Sequence, residues 1–243
     1  MPPNIKSMKK IYCLIFAVLF MISCSKEKGN LQITGNVKGL KKGTLYLQKI
    51  NDTLLVNIDS LTVDGKSDFS FSTNIEEPEI MFLYLNKNDG NNLNDRLEFF
   101  AEKGLMTINT TYDNFLAEAK IEGSENQKIY ENYKKMLSGF SDKNLNYLKE
   151  QLEARIKGDT LKADSIQKLS DKNLLRTYQF TITYVLQHKN KEIAPYITLT
   201  KAENITIKYL DSINNSLLPE IADSKYGKAL KDYIKTVKEK NNN

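Results

Sequence analysis

The sequence predicts an α+β protein, an antiparallel β-sandwich followed by an α-helical region. Two patterns carry that prediction. From Leu31 to Ile121, short β-rich runs are separated by Gly, Asn and Asp, the punctuation of strands and tight turns. After Gly123-Ser124 the apolar residues recur at spacings of three and four, which is the period of a helix face. The expected division is residues 1–23 as a leader, 24–29 as a tether, 30–122 as the sandwich and 123–240 as the helical region.

The leader is read from its three parts. Lys9 and Lys10 give a cationic start, Ile11 to Ile22 a short apolar core, and Ser23 a small residue before the cut. A membrane-spanning helix needs about 20 apolar residues, so this core is too short to remain as an anchor. Met21-Ile22-Ser23-Cys24 resembles a bacterial lipobox, which makes Cys24 the expected lipidation site. Met8 begins a better leader than Met1 and is the expected true start. The leader removes Lys6, Lys9 and Lys10 and no acid, so three of the five excess positive charges leave with it. Arginines are few (Arg96, Arg155, Arg176), whereas nucleic-acid readers lean on clustered arginine, so no nucleic-acid partner is expected. The tether, Ser25 to Gly29, reads as a solvated spacer.

Taken in order, Leu31–Thr34 and Gly43–Leu47 are the first two strands. Asn51-Asp52 turns into Thr53–Val63, a run long enough to be bent or bulged near Asn57. Asp64-Gly65 is the strongest hairpin signal, because both positions tolerate positive φ, and Asp68–Ser72 is its return strand. Glu79–Leu85 and Leu97–Phe100 are denser apolar runs, as in strands covered on both faces. Asn86–Asp95, rich in asparagine, reads as an exposed mobile loop. Leu105–Thr110 and Ala119–Ile121 complete the set.

In the second half, Ile129, Tyr133, Met136, Leu137 and Phe140 form one helical stripe. A break or kink is expected at Ser138-Gly139 and Ser141-Asp142, and Leu145, Leu148, Leu152 and Ile156 carry the stripe on to Gly158. A second long helix runs from Thr160 to Gln187, with Ile166, Leu169, Leu174, Tyr178, Thr181 and Val185 inward. Pro195 interrupts a short segment, Ile205–Leu217 is another helix, and the last starts near Asp223 or Ser224 with Tyr226, Leu230, Tyr233, Ile234 and Val237 inward. Stripes this wide are expected to pack on one another or on the sandwich.

The chemistry-bearing residues exclude more than they assign. Cys13 leaves with the leader and lipidation would turn Cys24 into a thioether, so no thiol is left for exchange or for a metal. His188 is the one histidine, which rules out His-rich zinc sites, and it reads as structural near a helix end. Glu76-Glu77 and Glu98 with Glu102 are candidate acid–base carboxylates, but solvated charge is the blander reading. Asp59-Ser60 reads as a turn or strand-edge hydrogen bond. The thirteen tyrosines, Tyr178, Tyr184, Tyr226 and Tyr233 among them, read as core packing, with an aromatic groove as the functional alternative. No catalytic residue, metal or cofactor is expected.

Leu31-Gln32-Ile33-Thr34-Gly35, Gly43-Thr44-Leu45-Tyr46-Leu47, Ile58-Asp59-Ser60 before Asp64-Gly65, and Ile121-Glu122-Gly123-Ser124-Glu125-Asn126 together resemble a domain of unknown function. That domain precedes the thioredoxin-like module of envelope lipoprotein thiol–disulfide oxidoreductases of the AhpC/TSA kind. Ser224-Lys225-Tyr226-Gly227-Lys228-Ala229-Leu230 is similar to the end of the family's helical connector. The family's Cys-x-x-Cys pair has no counterpart here, so the resemblance implies fold and compartment and not redox activity. The resulting expectation is a lipid-anchored lipoprotein of the cell envelope, at the outer membrane and facing periplasm or cell surface. It would be a non-catalytic binding or accessory module with a protein partner, which could be thioredoxin-like. The alternatives are a surface-exposed capture or adhesion protein and a carboxylate-based hydrolase.

Overall fold

The structure, a computed structural model, describes residues 29–87 and 95–241. The leader, Cys24 and most of the tether lie outside the described residues, as does most of the expected Asn86–Asp95 loop. Eight strands are followed by helices: β1 (Leu31–Lys38), β2 (Lys42–Asn51), β3 (Leu54–Asp64), β4 (Asp68–Thr73), β5 (Glu79–Asn86), β6 (Arg96–Ala101), β7 (Gly104–Thr111) and β8 (Lys120–Glu122). Two long helices come next, α1 (Glu125–Ile156) and α2 (Thr160–Gln187). The rest are α3 (Ile193–Thr200), a 3-10 turn (Ala202–Asn204), α4 (Ile207–Ser216), α5 (Pro219–Ala222) and α6 (Lys225–Asn241). The predicted α+β class holds.

The strands form two four-stranded sheets, ordered β4-β1-β7-β8 and β3-β2-β5-β6. All pairings are antiparallel except β1 with β7, which run parallel from Leu31 opposite Gly104 to Lys38 opposite Thr111. The period of two that reveals a strand does not encode its direction, so this pairing departs from the antiparallel expectation. The Asp64-Gly65 turn also differs from the expected hairpin. Gly65 does take a positive φ of 85°, a conformation glycine adopts without steric cost. Yet β3 pairs with β2 and β4 pairs with β1, so the turn carries the chain from one sheet to the other. The irregularity expected near Asn57 is present: Leu47 opposes Asp59 and Gln48 opposes Asn57, which leaves Ile58 as the extra, bulged residue.

Two cores share one sheet. Leu31, Ile33, Phe71, Met106 and Ile108 of the first sheet face Leu45, Leu47, Met81, Leu83 and Phe99 of the second, filling the sandwich. On the other side of the second sheet, Ile80 and Phe100 join Tyr133, Ile197, Leu210 and Leu230 in a separate cluster with the helices. Strands β5 and β6 are therefore covered on both faces, as their dense apolar runs predict. Each fully buried residue of this kind contributes about 1.5–3 kcal/mol relative to exposure.

The helical region departs from expectation at two points. No break occurs at Ser138-Gly139, because α1 is one continuous helix. The hydroxyls of Ser138 and Ser141 bond back to the carbonyls of Lys135 and Leu137, within the helix. Pro195 does not interrupt a helix either: it sits in the first turn of α3, where a missing N–H costs no intrahelical bond. The inward set on α6 is led by Leu230 and Ile234, and Gly227 beside them allows a close approach. A Cβ there would lie 2.1 Å from the carbonyl oxygen of Ile221. The predicted span of α2 matches the observed one.

Candidate functional site

Most of the polar residues singled out in the sequence are occupied in joining the sandwich to the helices. Strand β6 is a sheet edge, so its outer amides need partners. The Phe100 amide donates to Gln127 Oε1 at 2.7 Å. At the β6–β7 turn, one oxygen of Glu102 accepts from Ser124 Oγ, from the Asn126 amide and from Asn126 Nδ2, at 3.0, 2.6 and 2.7 Å. Ser124 caps α1 by accepting from the Gln127 amide at 2.9 Å. A carboxylate beside a helix N-terminus also suits the dipole. Asn126 Oδ1 then accepts from the Ile193 amide at 2.9 Å, tying α3 to the same knot. Of this knot, only Ser124 with Gln127 three residues later carried a recognisable sequence signal.

Glu98, Glu79, Glu77 and Asp59 are also engaged. Glu98 accepts from Tyr130 Oη at 2.9 Å. Buried Glu79 pairs with Lys225 and Lys49, and Glu77 accepts the Lys225 amide at 2.8 Å. Asp59 accepts from the Ser60 amide at 2.8 Å, a local strand-edge bond as expected. His188 caps the end of α2, its Nδ1 2.8 Å from the Tyr184 carbonyl and its ring against that of Tyr184. Among the described residues, no group of three or more His, Cys, Asp and Glu side chains is placed to hold a metal ion.

The tyrosines pack in two groups. Tyr196 and Tyr226 meet Phe100 edge to face between the second sheet and the helices, and Tyr130 meets Tyr196 in the same way. Burial is the main cause that raises all three phenol pKa values well above the ordinary value, and the charge of Glu98 adds to it. Tyr133, Phe140, Phe180 and Tyr184 form the second group between α1 and α2. These are packed rings with bonded hydroxyls rather than an open groove. Tyr178 alone of the four tyrosines named above lines open space, beside α2.

The exposed features lie elsewhere. A shallow cleft of about 580 Å³, lined by Asn30, Lys49, Glu76, Glu77, Lys103 and Lys225, opens where the chain enters β1. Its charges are mixed, and Glu79 at its wall is already neutralised. The larger feature is the hairpin of α1 and α2. Near the body the two helices bury Tyr133 against Thr181, and near the tip Ala154 against Ala163 and Ile166. The stripe Leu145, Leu148, Leu152 and Ile156 faces away from this seam, with 66, 62, 58 and 77% of each side chain's residue surface exposed. This corrects the expectation that the whole stripe packs inward. Position 144 meets α2, Asn144 accepting from Asn173 Nδ2 at 3.0 Å, and the stripe stands about 40–120° further round the helix. Leu169 and Leu174 of α2, expected inward, are also partly in solvent, 48 and 41% exposed. Leu137 and Ser141 extend the stripe toward the body, where they line a cavity of about 300 Å³ with Phe140, Leu174, Tyr178 and Ile205.

Residues 31–130 match the family model described as a domain of unknown function (DUF4369), which spans the sandwich and the first turns of α1. Searches of curated proteins and of solved structures found no match. The sandwich and the start of the first long helix thus resemble a domain whose function is itself undefined.

Proposed function

We propose that this protein is a lipid-anchored module of the cell envelope that works by holding another protein, without chemistry of its own. The observation that carries the reading is the exposed leucine stripe of α1. Four large apolar side chains in one row cost free energy in water, and a contiguous apolar patch of that kind marks a protein contact more often than a reaction centre. The engaged state of Glu77, Glu79, Glu98 and Glu102 supports the non-catalytic side, since each carboxylate holds a lysine, a tyrosine or a helix end. The envelope location rests on Lys9-Lys10, the apolar run after them and Ser23-Cys24. Three acyl chains on Cys24 would bury many methylenes at about 0.8 kcal/mol each, enough for a stable anchor.

Two measurements test the reading. Intact mass of the membrane-extracted protein should show Cys24 as an acylated N-terminus, and Cys24→Ser should accumulate the uncleaved chain. An unmodified mature cysteine removes the anchor from the proposal. A photo-crosslinking residue at Leu152 in the native cell should give a discrete protein adduct, and one at exposed Lys128 should not. Equal labelling at both positions removes the docking face.

A further inference from the structure

The apolar stripe on α1 is a palindrome. From Leu137 through Ser141, Leu145, Leu148 and Leu152 to Ile156, the steps are four, four, three, four and four residues, the same read from either end. All six positions fall on one helix face. The midpoint lies between Asn146 and Tyr147. A face whose spacing is the same in both directions can lie on a second copy of itself in register about a two-fold axis, the symmetry of an isologous dimer.

From this we infer that the partner of the hairpin is a second copy of the same chain, packed with the two α1 helices antiparallel. The inference rests on the reading of the hairpin as a docking face and names its occupant. At the helix separation of about 8–10 Å, Leu145 of each copy meets Leu148 of the other at the centre. Leu152 of each copy lies over Ser141 of the other, the smallest side chain of the row. Ile156, the most exposed of the stripe, reaches Leu137 at the cavity between α1, α2 and Ile205. Leu152 thus falls opposite a small residue and Ile156 opposite the cavity, which leaves room for the facing helices to approach.

Charge is compatible with the same antiparallel pairing. Asp142, one turn before Leu145, and Lys149, the residue after Leu148, lie along one border of the stripe, and both are exposed. Neither has an ion-pair partner among the described residues. In the antiparallel pair, Asp142 of each copy lies beside Lys149 of the other, so two opposite-charge contacts form at once.

The test uses the full chain, produced in one cell in two differently tagged forms, extracted in mild detergent and captured through one tag. The second tag should be captured with the first. Asp142→Lys alone and Lys149→Asp alone should each weaken co-capture by roughly tenfold, and the double exchange Asp142→Lys/Lys149→Asp should restore it. Leu148→Glu should abolish it while circular dichroism stays that of the parent. Co-capture indifferent to the charge exchanges reports shared micelles and overturns the proposal, as does a double exchange that fails to restore binding. Loss of self-capture alongside a persisting Leu152 crosslink to another protein would overturn the self-docking and leave the docking face standing.

Discussion

The hydroxyl of Tyr226 in the last helix accepts a hydrogen bond from the backbone amide of Ile80, 2.8 Å away and 146 positions earlier in the chain. The reason is local. Strand β5 begins before its ladder with β2 does, since that pairing covers Met81 to Asn86, so the Ile80 amide has no strand partner on that side. A buried amide left without a partner costs about 1–3 kcal/mol. The phenol supplies it from the far end of the sequence.

Tyr226→Phe should therefore destabilise the protein by about 1–2 kcal/mol in urea titration, although it keeps the ring against Phe100 and Tyr196. The Ile80 amide should exchange with deuterium faster than its strand neighbours. An unchanged midpoint would mean that water serves the amide equally well.

The buried phenols set an alkaline limit. Tyr130, Tyr196 and Tyr226 titrate above the ordinary phenol value in the fold, mainly through burial, while in the unfolded chain they ionise near pH 10. Below about pH 9 both states hold these protons, and the three groups add no pH dependence. Above about pH 10 the unfolded chain loses protons that the fold retains, so stability falls as pH rises. Urea midpoints from pH 8 to 11 should fall less steeply in Tyr130→Phe/Tyr196→Phe than in the parent. Parallel curves would place the alkaline sensitivity elsewhere.

On the hairpin, burial separates two kinds of apolar residue that the sequence writes alike. Ile166→Ala empties a site in the small core with Ala154 and Ala163 and should cost about 2–4 kcal/mol. Leu148→Ala removes an exposed side chain and should change the stability of the dilute monomer by less than about 0.5 kcal/mol. A comparable loss at Leu148 would show that the stripe is packed within one chain.

That contrast also explains what the sequence could tell. Period and punctuation located the strands, the bulge beside Asn57, and the full span of α2, because each follows from local pattern. Pattern does not say what lies across from a face. It could not choose a parallel partner for β1, and it could not send β3 and β4 to different sheets. Nor could it leave Leu145, Leu148, Leu152 and Ile156 in solvent while Tyr133 and Ile166 were covered. Glu102, Asn126 and Gln127 form the joint between sandwich and helices, but polar residues at a joint have no periodicity to announce them.

The placement of β1 has a mechanical consequence. Gly29 and Asn30 lead into this strand, which is held by antiparallel β4 on one side and parallel β7 on the other. Both ladders begin at Leu31, opposite Thr73 and Gly104, and run together along the strand. Tension drawn along β1 from its N-terminus would strain the bonds of both ladders side by side, in shear, rather than peel them apart one after another.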